Sequence, residues 1–95
     1  MNTHLKKQIK KISINWTSEL TFERIKMILM SMDVEEEYIS ENRNFYEDFY
    51  FDSLSYMNLI VLIEHYFGIV IEDNLAEKIH TVAELQTVVY SKIHP

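Results

Sequence analysis

The sequence predicts an all-α protein, a small four-helix bundle made of three main helices and one short helix. Hydrophobic residues at 47% and aromatics at 13% of 95 residues are enough for one modest core. A single Gly and a single Pro leave few of the breakers that all-β folds need at their turns. Apolar residues recur at spacings of three and four, and helix start and stop signals bound the segments that carry them.

In chain order, residues 1–17 read as a basic N-terminal extension, flexible or forming a short extra helix, and residues 18–95 as the bundle. Within the extension, Leu5, Ile9 and Ile12 share one helical face beside Lys6, Lys7, Lys10 and Lys11. So few apolar groups do not offset the entropy of ordering a helix unless it docks. The first main helix runs from Ser18 or Thr21 to Met32, with Phe22, Ile25, Leu29 and Met32 toward the core. With Thr21 as N-cap, Leu20 and Ile25 form a hydrophobic staple; with Ser18 as cap, Glu19 falls in the favourable first turn. Local sequence leaves both open.

Asp33 to Asn44 follows as a long acidic connection, pinned by Val34 and Ile39. The second helix begins at Ser53 and ends near Phe67, with Gly68 as a left-handed terminator. Leu59, Leu62, Ile63 and Tyr66 or Phe67 supply its buried side. Leu54, Met57 and Val61 are left as a second apolar line, which a small bundle reserves for a partner. The run I-V-I at 69–71 alternates like a strand but has no partner strand, so it reads as a connector pushing Ile69 or Ile71 inward. A short turn fits Asn74 to Lys78. Finally, T-V-A-E at 81–84 is a capping box that opens a helix with Val82, Leu85, Val89 and Ile93 inward.

Composition also limits function. Without cysteine there is no disulfide framework, thiolate zinc site or thiol nucleophile, which fits a cytoplasmic location. The longest apolar run, Leu59 to Ile63, is too short to span a bilayer, so no stable membrane insertion is expected. Residues 21–95 hold 14 acidic and 5 basic groups, a body that repels nucleic acid and favours partners with basic surfaces. The chain has no G-x-S-x-G elbow, glycine-rich phosphate loop or H-E-x-x-H motif, so it does not read as an enzyme and no catalytic residue is assigned. His4, His65, His80 and His94 are scattered, and no metal site is expected.

One position remains to be explained: Ser53, in F-Y-F-D-S-L, stands alone at the head of the most apolar helix. It or Asp52 is a natural N-cap, and a helix start also suits an attached anion, because its backbone N–H groups lack partners and the dipole is positive there. D-S-L at 52–54, the helix ending in Phe67, the connector I-V-I-E-D, the turn L-A-E-K-I at 75–79 and the cap T-V at 81–82 together resemble the acyl carrier protein family. The resemblance covers roughly Thr21 to Lys92 and implies an acyl-carrier-like bundle.

The resemblance further implies that Ser53 receives 4′-phosphopantetheine from coenzyme A by the action of a phosphopantetheinyl transferase. The thiol end of that arm would hold an acyl group as a thioester for acyl-loading and acyl-processing enzymes, the carrier acting as a monomer. Leu54, Met57, Val61 and Glu64 are then the expected partner-binding residues. Two departures stand out. Tyr50 occupies the place of a glycine in the usual L-G-x-D-S-L. On the second helix, positions that resemble the acidic recognition sites of fatty-acid carriers hold Ser55, Asn58, His65 and Tyr66, and only Glu64 keeps its charge. The expectation is a carrier for a specialised acyl, polyketide or lipid pathway. The alternatives are an aminoacyl or peptidyl carrier, and a non-covalent helical adaptor that kept the fold.

Overall fold

A computed structural model describes residues 15–94 of the chain. The segment that begins at Thr3 and carries Leu5, Ile9 and Ile12 lies, but for Asn15, outside the described residues. Among the described residues there are four α-helices, α1 Ser18–Ser31, α2 Ser53–Phe67, α3 Asp73–Ala76 and α4 Val82–Ile93, with a 3-10 turn at Glu36–Tyr38. The only pairing of strand type among the described residues is one antiparallel bridge between Asn44 and Thr81. No described helix is long and apolar enough to cross a membrane.

Helix α1 is capped one residue before Ser18 and four before Thr21, the two caps expected from sequence. Thr17 is the cap, its hydroxyl accepting from the Leu20 N–H at 3.0 Å. Ser18 is occupied elsewhere, because the Gln86 side-chain amide donates from Nε2 to its carbonyl and hydroxyl oxygens at 2.9 and 2.8 Å. Thr21 is fully buried and donates its hydroxyl to the Thr17 carbonyl. The helix stops at Ser31 rather than Met32. Asp33 takes a left-handed φ of 70°, and the Val34 and Asp33 N–H groups turn back to the Leu29 and Met30 carbonyls.

The core is built from Ile25 and Leu29 of α1, Leu59 and Ile63 of α2, Ile71 and Ile79 of the connectors, and Val82, Leu85 and Val89 of α4. Phe22, Met32 and Val34 pack against it half-buried, and Ile39 is buried. On α2 the buried side is Tyr56, Leu59, Ile60 and Ile63. This corrects the expected set in part: Leu62 is only half-buried, and of Tyr66 and Phe67 it is Phe67 that packs against the core while Tyr66 is exposed. The helix is rotated so that Tyr56 faces inward, where its hydroxyl is shared between the Ala76 and Ile79 carbonyls at 2.6 and 2.9 Å. Burial pushes that phenol well above its ordinary range.

Gly68 closes α2 at φ 66°, and a β-carbon there would meet nothing within 4 Å, so the backbone angle alone calls for glycine. The connector then follows the sequence expectation, with Ile71 buried and Ile69 packed against the core. Helix α3 begins one residue before the expected Asn74, and its last turn continues through Lys78 and Ile79, whose N–H groups bond to the Leu75 and Ala76 carbonyls. Thr81 and Glu84 form the expected capping box of α4. Of its expected inward residues, Ile93 is half-buried, and Gln86 is buried instead.

Candidate functional site

The loop that leads into α2 is held rigidly. Phe45 is fully buried, its ring packing on Phe49, Phe51 and Tyr56 at centroid distances of 6.1, 6.3 and 5.7 Å. The Phe45 N–H bonds to the His80 carbonyl and the Val82 N–H to the Arg43 carbonyl, which straps the loop to the start of α4. Asn44 and Asp48 close the turn from inside. The Asn44 side-chain oxygen accepts from the Tyr46 and Glu47 N–H groups, and the Asp48 carboxylate accepts from the Asn44 N–H at 2.7 Å.

Phe49 and Phe51 both turn toward Phe45, and the residue between them absorbs the reversal: Tyr50 sits at φ 58°. The backbone thus keeps a left-handed bend where the related pattern has glycine, at a cost of about 1–2 kcal/mol for a residue with a β-carbon. The Tyr50 ring recovers nothing by burial, being 86% exposed.

Asp52 caps α2, its carboxylate accepting from the Ser55 N–H at 2.8 Å, and that contact holds the carboxyl below the usual carboxylate range. Ser53 is the first helical residue and is exposed. The Ser53 and Leu54 N–H groups precede the helical ladder and have no acceptor within it, and the rest of the first turn carries no acidic side chain. A phosphodiester on the Ser53 hydroxyl fits here. It would face open donors and the positive end of the helix dipole, with room for a chain beyond it. Ser55, the other serine of D-S-L-S, is half-buried and its N–H is already used.

The second apolar line is exposed as the sequence indicates. Leu54 is 79% exposed, Met57 52% and Val61 55%, and the three line a shallow groove with Ser55 and Asn58 one turn beyond Ser53. Glu64 lies on the same flank, but it is half-buried and accepts from the Ile71 N–H at 2.8 Å, so its carboxylate holds the connector to the end of α2. The sequence reading expects that charge to meet a partner; within the chain one of its oxygens accepts from Ile71. Sequence reasoning also missed the loop aromatics Phe45 and Phe49, which cluster with Phe51 around the bend at Tyr50.

The family described as phosphopantetheine attachment site matches residues 24–89. An acyl carrier protein of Picosynechococcus sp. is 38% identical over 72 residues, covering 75% of this chain and 89% of that protein. An acyl carrier protein of Lactobacillus acidophilus is 38% identical over 79 residues, covering 82% of this chain and 96% of that one.

Proposed function

This chain belongs to the acyl carrier protein family, and from that premise we propose that Ser53 is its attachment point and that it serves one specialised acyl pathway. A member of this family is a carrier and not an enzyme, its prosthetic group being covalently attached 4′-phosphopantetheine. The arm supplies a terminal thiol, on which an acyl group is held as a thioester. The chain's own residues present and position that arm. In the attachment reaction the Ser53 oxygen forms a bond to the phosphorus next to pantetheine in coenzyme A, the pyrophosphate link breaks with adenosine 3′,5′-bisphosphate leaving on the bridging oxygen, and the hydroxyl proton passes to the transferase. Asp52 fixes the helix start, the Phe45 cluster fixes the loop, and the first turn of α2 stabilises the resulting anion.

The observation that carries the site is the exposed Ser53 at an otherwise open helix start, in D-S-L, beside an apolar line that only a partner would cover. The observation that favours a specialised pathway is the lack of free carboxylates on α2. Glu64 is the only acidic residue of that helix, and it is engaged by Ile71. Partners would therefore dock chiefly through Leu54, Met57 and Val61, with Glu64 contributing at the edge, and the enzymes that load and process the acyl group are selected by apolar fit more than by charge. The cysteine-free composition supports action in the cytoplasm.

The test is incubation with coenzyme A and a phosphopantetheinyl transferase of broad specificity, read by intact mass. The wild-type chain should gain one pantetheinyl group and Ser53→Ala none. A wild-type chain left unmodified while a control carrier is converted would leave the adaptor reading in place of the carrier one.

A further inference from the structure

At the pole of the bundle where α1 starts and α2 ends, Trp16 is half-buried. Its ring lies 5.2 Å from that of Phe67, and its carbonyl oxygen is 2.9 Å from Nε2 of His94. Phe67 in turn meets the Tyr66 ring edge-on at 5.0 Å. From Tyr66 an open groove continues between α1 and α2, lined by Arg24, Met27, Ile28 and Ser31. Met27 is 54% exposed and Tyr66 50%, and Leu20 and Met30 add further uncovered apolar surface on α1. Neither the attachment chemistry nor the line of Leu54, Met57 and Val61 uses this strip.

We propose that the strip is the seat of the chain's own residues 3–12, folded back over α1 as an amphipathic helix with Leu5, Ile9 and Ile12 against it. The inference stands independently of attachment at Ser53. Where the segment joins the bundle argues for this occupant. Trp16 is pinned at the head of the groove, and Ser13 to Thr17 is a connection of the length that joins two antiparallel helices. In such a hairpin, equal steps from Trp16 bring Ile12 opposite Leu20 and Leu5 opposite Met27.

Charge argues the same way. Residues 1–14 carry four lysines and no acid, whereas residues 15–95 hold 15 acidic against 5 basic groups. At helical spacing Lys6 and Lys10 flank the apolar stripe on one side and Lys11 on the other, and the exposed Glu19 and Glu23 stand on the α1 surface they would meet. Three apolar residues in so short a helix do not order it in water, but they do so when they cover a groove already in place. An anionic lipid surface would attract the same lysines, yet it would repel the acidic body tethered a few residues away. The short tether also holds the segment at an effective concentration of about millimolar, which favours this chain's own groove over that of a second copy.

The test is made on the full-length apo chain, with a nitroxide on Gln8→Cys, a unique attachment point because the sequence has no cysteine. Paramagnetic broadening should fall on the amides of residues 24–31 and 65–67. Ile9→Asp in the labelled chain should remove it and Ile9→Leu should keep it. Met27→Asp, a charge placed at an exposed position of the groove, should release the segment as Ile9→Asp does, with the Leu85 and Val89 amides unchanged as the check on folding. Mixing the nitroxide chain with an isotope-labelled chain that carries no nitroxide should broaden nothing; broadening there would assign the strip to a second copy and overturn the inference. Broadening that is spread evenly over the bundle, that falls on residues 75–88, or that appears only on vesicles of phosphatidylserine would overturn it equally. Because no coenzyme A is present, none of these outcomes bears on the carrier reading.

Discussion

At the start of α4 the backbone donors are closed from within the chain. Thr81 accepts from the Glu84 N–H at 3.2 Å, and the Glu84 carboxylate accepts from the His80 and Thr81 N–H groups at 2.7 and 3.1 Å. At the start of α2 the Asp52 carboxylate accepts from the Ser55 N–H and its carbonyl from the Tyr56 N–H, and the exposed Ser53 follows with no acidic partner in the first turn. Both helices begin beside the same strap of loop, yet one start is complete and the other is left open. A helix start that only supports the fold satisfies its own donors; one that receives an anion leaves them available and fixes its position by other means.

The largest effect is expected where the two starts are tied together. Tyr56, in the first turn of α2, donates to carbonyls at Ala76 and Ile79, just before α4. Tyr56→Phe leaves the Ile79 carbonyl without its partner in the core, the Ala76 carbonyl keeping the Ile79 N–H, and should lower stability by about 1–3 kcal/mol in chemical denaturation. The pH dependence has a definite sign. Because burial raises this phenol, its contribution is complete below the ordinary tyrosine value of 10.0 and is lost as pH rises toward the folded value, where the unfolded chain ionises first. The variant should lack that part of the alkaline loss. Equal stability of the two proteins would mean that the anchoring of α2 does not depend on this hydroxyl.

A paired substitution tests the contrast itself. Thr81→Ala should cost about 1–2 kcal/mol of stability and leave the rate of pantetheinylation unchanged, whereas Asp52→Ala should cost less and slow the modification. If Thr81→Ala slowed modification as much, the two starts would not differ in the way proposed.

The smallest effects are expected along the exposed apolar line. Met57→Ala or Val61→Ala should each weaken recognition by the cognate loading enzyme by about 1 kcal/mol, roughly a fivefold rise in KM. Glu64→Gln should change it less, since the amide oxygen can still accept from Ile71. A dominant Glu64 effect with steep salt dependence would assign docking to charge and remove the reason for a specialised pathway.

What the sequence made legible was local. Gly68 and the box formed by Thr81 and Glu84 announce themselves because each signal lies within a few residues of what it terminates or caps. The exposure of Leu54, Met57 and Val61 was readable for a related reason: once α2 has enough apolar residues for two faces, one line must remain outside. What escaped depends on distant partners. Three hydroxyl residues, Thr17, Ser18 and Thr21, are chemically similar caps, and the choice is made by Gln86, 68 residues further on, which takes Ser18. The rotation of α2 that buries Tyr56 is set by carbonyls 20 and 23 residues away. Glu64 looked like a surface charge until the connector brought the Ile71 N–H onto it. A cleft lined by Val34, Tyr38, Phe49 and Phe51 joins two ends of a loop and has no signature in either.

The most direct measurement of the account is to locate the attached group within D-S-L-S. After modification with coenzyme A, fragmentation of the peptide that contains residues 49–58 should place the entire pantetheinyl mass on Ser53, the exposed first residue of α2, and none on the half-buried Ser55. A group found on Ser55, on a serine of another helix, or on no residue of this chain would contradict the claim that the open start of α2 is the site.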